Sequence, residues 1–236
     1  MFAVIFEVEP KPGNWDDYLA IAATLKPELE RIDGFLANER FRSREREGLL
    51  LSFSTWRDEK ALVRWRSHAL HHQAQVRGRQ QVFADYHLRV GEIVADTDAD
   101  VGQQDRPARR TDETETGIGK AVTLTEATPK SDTPVTADEL ARLLGLAGPG
   151  CSAGLVDAAS FESIVNPGKL LWLATWRETE AAASWWAATG APGVRQLADR
   201  AHLRHRGVPI VRDYGLFDRR EAPQYHAPVA QSGSEG

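Results

Sequence analysis

The 236-residue chain is 42% hydrophobic and 27% charged, an ordinary balance for a folded globular protein, and it has room for one large domain or two of about 100 residues. A formal net charge of −5, with arginines alternating with acids, argues against nucleic-acid binding, which rests on clustered positive charge. The single cysteine, Cys151, excludes an intrachain disulfide and a CxxC metal site, and the opening Met-Phe-Ala-Val-Ile-Phe-Glu-Val-Glu lacks the features of a signal peptide or membrane span, so a cytoplasmic protein without membrane partners is expected.

Phe2, Val4, Phe6 and Val8 alternate with Ala3, Ile5, Glu7 and Glu9, the period-2 pattern of a strand that Pro10, Pro12 and Gly13 end. From Asn14 the spacing turns helical, with Tyr18, Ile21, Leu25, Leu29 and Ile32 on one stripe, Pro27 as a kink and Gly34 as the stop. Residues 35–42 and 49–57 read as a hairpin around a charged turn. Its second strand is apolar on both faces, so both must be covered. Asp58 and Glu59 open a helix whose inward stripe is Leu62, Trp65, Ala69, His72 and Val76, provided it runs unbroken through Ser67 and His68. Residues 82–94 return to strand character, which completes a β-α-β-β-α-β order, the ferredoxin-like arrangement.

Residues 96–117 are polar and acidic and read as a linker. The rest of the chain restates the first half. At an offset of 120, Leu50, Leu51, Thr55, Trp56, Arg57, Ala61 and Trp65 recur as Leu170, Leu171, Thr175, Trp176, Arg177, Ala181 and Trp185. So long a period means a duplicated domain rather than a solenoid. Ala121-Val122 answers Ala3-Val4, Thr136-Ala-Asp-Glu139 forms a capping box, and residues 153–163 with 169–177 form the second hairpin. For the last strand two alignments stay open. One sets Arg206-Gly207 and Asp213-Tyr214 against Arg77-Gly78 and Asp85-Tyr86, which gives a strand at 208–218; the other sets His202-Leu203-Arg204 against His87-Leu88-Arg89. Residues 221–236 read as a loose tail.

The organisation is therefore a domain at 1–95, a linker at 96–117, a diverged second domain at 118–220 and the tail. Each domain buries one sheet face under its own helices and leaves the other apolar face bare. Two such sheets satisfy each other face to face, so the expected α+β fold is an intramolecular pseudo-dimeric barrel of about eight strands, with room for a further homodimer.

The first half, with Trp56 closing a strand, Trp65 on the next helix, and Ser67-His68-Ala69-Leu70-His71-His72 leading on to Phe83-Ala84-Asp85-Tyr86-His87-Leu88, resembles the antibiotic biosynthesis monooxygenase family. The resemblance covers about 95 residues well and the second half more weakly. It implies a dimeric α+β barrel with a cavity between each sheet and its helices, and oxygenation of an electron-rich aromatic or polycyclic small molecule without a tightly bound cofactor. Haem binding or degradation is the alternative within the family. The family's asparagine on the first strand has no evident counterpart here, since Phe6 and Glu7 occupy that region. A non-catalytic ligand-binding pseudo-dimer is the alternative outside it.

In that setting His72 is the candidate base, Tyr86 the hydrogen-bond donor and Trp65 the pocket wall. Trp56, His68, His71, Trp176 and Trp185 are candidate substrate contacts, and His87 a further titratable neighbour. Core packing is the ordinary explanation for each tryptophan, and a partly exposed histidine in a polar run for His72. His68 and His72 stand i,i+4, but no motif places a third ligand, so no metal is expected. In the second half Gly190 and Pro192 fall near the place of His72, so one active and one structural half are expected.

Overall fold

A computed structural model of the chain describes residues 1–98, 113–130, 134–147 and 153–223. Cys151 and residues 224–236 of the tail lie outside the described residues, as do residues 99–112 of the linker. The first half runs β1 (Phe2–Pro10), α1 (Trp15–Glu30), β2 (Phe35–Ser43), β3 (Leu50–Trp56), α2 (Glu59–Ser67), α3 (Ala69–Arg77), a π-helical turn (Gly78–Val82) and β4 (Phe83–Glu92). A short β5 (Ala95–Asp96) follows. The second half runs β6 (Ala121–Pro129), α4 (Ala137–Leu144), β7 (Leu155–Ser163), β8 (Leu170–Trp176), α5 (Thr179–Trp185), a π-helical turn (Trp186–Gly190), α6 (Ala191–Arg195) and β9 (Ala201–Gly215). Among the described residues no helix is long and apolar enough to cross a membrane.

The strands follow the order β4-β1-β3-β2-β7-β8-β6-β9, and a further β4–β9 pairing closes them into an antiparallel barrel of eight strands, with β5 added on β9. The halves meet at two seams, β2 against β7 and β4 against β9. This is the fused pair of ferredoxin-like units that the duplication implies. The faces divide as strand alternation requires. Ala3, Ile5, Phe41, Leu51 and Phe53 join Val122, Leu124, Phe161, Leu171 and Leu173 in one apolar cluster fed by both halves, which is the barrel interior. Val4, Phe6 and Trp56 instead face the helices packed outside.

The repeated motif has a physical reason. Gly34 and Gly154 adopt left-handed backbone, φ +88° and +86°, at the entry to β2 and β7, where a side chain would be strained. Each carbonyl accepts from the next repeat landmark, Arg57 N to Gly34 O and Arg177 N to Gly154 O, both at 2.8 Å. A Cβ on either glycine would stand only 2.6 or 2.7 Å from the Cβ of Ala61 or Ala181, so the recurring alanine keeps room for the helix to cross the strand end.

Register corrects two sequence expectations, and a helix break a third. Ala3 lies opposite Thr55 and Val122 opposite Thr175, so Val122, not Ala121, answers Ala3. A slip of one residue exchanges interior and exterior. Ile5 faces Arg89 on β4 and Leu124 faces Arg206 on β9, so Arg206 answers Arg89 and neither proposed alignment of the last strand holds. That strand begins at Ala201 and reaches Gly215 because it serves two partners, β6 along its first part and β4 along its second. Third, the helix after β3 breaks at His68, whose ψ of 131° is extended. The i,i+4 pair of His68 and His72 on one helix therefore does not form.

The repeat of register brings with it a repeat of charge. Arg89 pairs with Glu7, and Arg206 with Glu126, inside opposite ends of the barrel. Lys169 adds to the second pair, 2.6 Å from Glu126 and 2.5 Å from Glu39, while Asp96 of β5 lies 3.2 Å from Arg206 and 2.7 Å from Arg204. Charges so buried persist because each has an opposite partner. Asp96 thereby fastens the start of the linker to β9. The segment after β9 is fastened too: the Glu221 carboxylate accepts from Thr114 Oγ1 and from the backbone N–H groups of Glu115, Thr116 and Asp213. Residue 221 is thus an anchor and not the start of a loose tail.

Candidate active site

A cavity of about 920 Å³ lies in the first half between the outer face of the sheet and α1, α2 and α3. The strand registers set its floor. Tyr86, Leu88 and Val90 of β4 and Val4 and Phe6 of β1 make an apolar side, and Ser52, Ser54, Asn38 and Arg40 of β3 and β2 make a polar one. Asn38 Nδ2 donates to Ser52 Oγ at 2.9 Å, and Trp56 Nε1 donates to Ser54 Oγ at 3.0 Å. The roof comes from the apolar stripe of α1, with Tyr18, Ile21, Ala22, Leu25 and Leu29, which the sequence spacing foretells.

The break at His68 decides which histidines reach this space. His71 and His72, in the first turn of α3, line it together with Trp65, Gln75 and Ala74. His71 stacks on Trp65, with ring centres 4.2 Å apart and planes 13° from parallel, and its Nδ1 lies 2.9 Å from the Trp65 carbonyl. A carbonyl only accepts, so Nδ1 carries the proton and Nε2 is left as the ring's acceptor. Burial, the main cause, holds the His71 pKa down to about 4, with the adjacent His68 and His72 acting in the same direction, so the ring is neutral near pH 7. His68 turns its ring along the Trp65 indole, 5.7 Å between centres, with Nε2 3.8 Å from Glu28, and is not among the cavity's lining residues. His87 points to the other sheet face, where Nε2 lies 2.6 Å from Asp213. Among the described residues no three His, Cys, Asp or Glu side chains converge as a metal site.

Of the expected residues, then, Trp56, Trp65, His71, His72 and Tyr86 share one cavity. Trp176 and Trp185 do not reach it; both are buried in the second half's core, where Trp176 Nε1 donates to Thr123 Oγ1 at 2.9 Å and Trp185 Nε1 to the Leu144 carbonyl at 2.7 Å. The corresponding space of the second half is filled. Trp172 stands where Ser52 stands in the first half, and Trp186 where Arg66 does. Its helix α4 has 8 residues against 16 in α1. On the floor His205 lies flat under Trp186, ring centres 3.5 Å apart.

That packed histidine makes stability depend on pH. Burial holds the His205 pKa down to about 3, against 6.5 for a free ring. The unfolded chain therefore binds a proton that the folded chain does not. The stability is fully present above pH 6.5 and declines as pH falls toward about 3; His71 acts in the same sense down to about 4. Between pH 6.5 and 5 His205 should account for a loss of about 2 kcal/mol. Urea unfolding at pH 7 and pH 5 checks this, and His205→Phe should remove that part of the slope.

Five further lining residues carry positive charge that the sequence reading did not single out: Arg40, Arg66, Arg79, Arg219 and Arg220. No Asp or Glu is among the described residues that line it. Arg40 has a signal in the sequence, since it alternates with Asn38 and Arg42 on one face of its strand. Arg219 and Tyr214 have none, because they arrive from the end of the second half: residues 210–215 of β9 run beside β4, and Leu216 N continues the pairing by donating to the Tyr86 carbonyl at 3.1 Å. Tyr214 is half-buried here, and desolvation, reinforced by Tyr86, raises its pKa to about 12, so its hydroxyl stays protonated.

A family model described as antibiotic biosynthesis monooxygenase matches residues 1–77. The chain is 41% identical over 231 residues to a protein of Pyricularia oryzae named jasmonate monooxygenase ABM, an overlap of 98% of this chain and 100% of that one. Among solved structures, an anthrone oxidase-like protein aligns at 12% identity over 94% of this chain and 96% of its own, with a TM-score of 0.36. An antibiotic biosynthesis monooxygenase aligns at 19% identity over 40% of this chain and 100% of its own, with a TM-score of 0.37.

Proposed function

The chain belongs to the antibiotic biosynthesis monooxygenase family and is a monooxygenase of that family; we propose that its substrate is a small apolar carboxylic acid of the jasmonate type, bound once per chain in the first half's cavity. The observation that carries this reading is the charge of the lining: among the described residues it has five arginines, of which Arg220 is paired with Asp218, and no acid, in a protein whose net charge is −5. A carboxylate entering among aromatic and aliphatic walls meets donors that suit it geometrically and electrostatically. The name of the relative, jasmonate monooxygenase, agrees with that chemistry. Jasmonate is a cyclopentanone that bears a carboxylate and an alkenyl chain, and so it is apolar along most of its length.

In this reading the residues have distinct tasks. Trp56, Trp65, Phe6 and Phe83 hold the hydrocarbon and keep water out. His71, neutral and with Nε2 as its acceptor, takes a proton from the substrate, and His72 beside it is the second candidate for that role. Loss of a proton beside a ketone leaves an enolate, which hands electrons to O2. Tyr86 donates to the oxygen on which charge develops. The balance without an added reductant is that the CH2 beside the ketone gives up both hydrogens: it becomes a carbonyl that carries one oxygen atom of O2, and the other oxygen leaves with those hydrogens as water.

An electron-rich aromatic or polycyclic substrate is the competing class, and the aromatic walls favour it. Isothermal titration and O2 uptake with jasmonate and with a neutral polycyclic phenol of similar size separate the two. Jasmonate should bind with one site per chain and, by mass spectrometry, gain one oxygen atom from O2 while losing two hydrogens. Turnover of the phenol with none of jasmonate would overturn the carboxylate assignment. His71→Ala should lower kcat by about 100-fold or more while leaving binding largely intact.

A further inference from the structure

We propose that Arg219, carried on the C-terminal segment of the second half, is the specificity residue that reads the substrate's carboxylate in the first half's cavity. The assignment rests on the cavity being the site of an apolar carboxylate and goes further, since it names the residue and makes the site a product of both halves.

Two contacts of its own and two tethers of its segment fix where Arg219 stands. Its Nη1 donates to the hydroxyl of Tyr86 on the cavity floor, and its guanidinium lies 5.9 Å from the centre of the Tyr214 ring. The segment that carries it is held at both sides, by Leu216 N on the Tyr86 carbonyl and by the four donors gathered on Glu221. Arg219 is therefore set on a fastened strap, beside a phenol. It has no carboxylate partner among the described residues, in contrast to its neighbour Arg220, which lies 2.5 Å from Asp218. A guanidinium has five N–H donors, and the Tyr86 bond uses one. The others form the planar fork that matches a carboxylate. Tyr86, whose oxygen already accepts from Arg219, keeps its own proton to donate, so the pair offers an anion two kinds of donor at one end of an apolar cavity.

The test uses the full chain, its Arg219→Gln and Arg219→Lys variants, and two probes, jasmonate and its methyl ester. Calorimetry gives the dissociation constant of each. The parent should bind the acid about thirtyfold tighter than the ester, the scale of one charge-assisted contact. Arg219→Gln should bring the two close together by weakening the acid alone, and Arg219→Lys should recover part of the difference. If the parent prefers the acid and Arg219→Gln keeps that preference, the assignment of Arg219 falls while the carboxylate reading stands. If the variant weakens both probes equally, the residue only supports the fold and the assignment falls as well. No preference in the parent would overturn both.

Discussion

Trp185→Ala should destabilise the protein by about 3–5 kcal/mol, while Trp65→Ala, at the matching position of the other half, should cost far less stability and most of the ligand binding. The two residues stem from one ancestral position, yet their surroundings differ. Trp185 is 4% exposed, donates to the Leu144 carbonyl, and packs against Trp176 with ring centres 4.9 Å apart. Truncation would empty a large volume that α4 and the neighbouring tryptophans cannot close, and it would leave a helix carbonyl without its donor. Trp65 already borders open space and meets His71 on one face. Its removal enlarges a cavity that exists, and with it goes the surface that holds the His71 ring in place. Urea unfolding of both variants beside calorimetry with jasmonate separates the two effects; equal stability losses would show that the halves are packed alike.

Gly91→Ala should be the most damaging single-methyl change in the barrel, with a cost of about 3 kcal/mol or more. Gly91 lies on β4 at the point where its pairing with β9 shifts register. A Cβ there would stand 2.1 Å from the carbonyl oxygen of Pro209 and 2.6 Å from Val208 Cγ1. The first of these is backbone and cannot step aside without parting the seam. Because Tyr214 lies farther along β9 and Arg219 on the segment that follows it, the variant should also lose ligand affinity at temperatures where it remains folded. Gly207→Ala is the control: its Cβ would meet only Ala95 Cβ at 3.5 Å, an ordinary contact, so its effect should stay within about 0.5 kcal/mol. Thermal unfolding of the two side by side checks the contrast, and a Gly91→Ala protein as stable as the parent would mean that the seam has slack.

The fold was legible because its evidence is local and written twice. Alternation in β1, the stripe of α1 and the Thr-Trp-Arg junctions each specify an element from a few neighbouring residues, and the duplication supplies the relation between them. The cavity's aromatic and histidine wall was legible for the same reason, since Trp56, Trp65, His71, His72 and Tyr86 sit at fixed positions on those elements. Two features escaped. The break at His68 depends on how the chain turns from α2 into α3, and no Gly or Pro marks it, so an unbroken stripe looked plausible. The arginines escaped because charge on a strand or helix reads as solvated surface until tertiary structure encloses it. Arg219 joins Tyr86 across 133 positions of sequence, and no periodicity carries information over that distance. The placing of Trp176 and Trp185 in a pocket failed on packing: the sequence shows that tryptophans cluster, but only the short α4 and the Ser52 and Trp172 exchange show that they fill their space.

The filled cavity of the second half has a consequence for how such a protein can evolve. In a barrel assembled from two identical chains, symmetry ties the sites together, so a tryptophan that plugs one plugs both, and every substitution is tried twice at once. A covalent fusion removes that tie. The second half was free to trade an opening for a core, and the segment after its last strand was free to reach across to the first half's cavity. Selection on ligand and selection on robustness can then act on different halves of one gene. Substitutions that alter which substrate is accepted should accordingly gather in the first half and in the segment after β9, with those that raise thermal tolerance around α4 and α5.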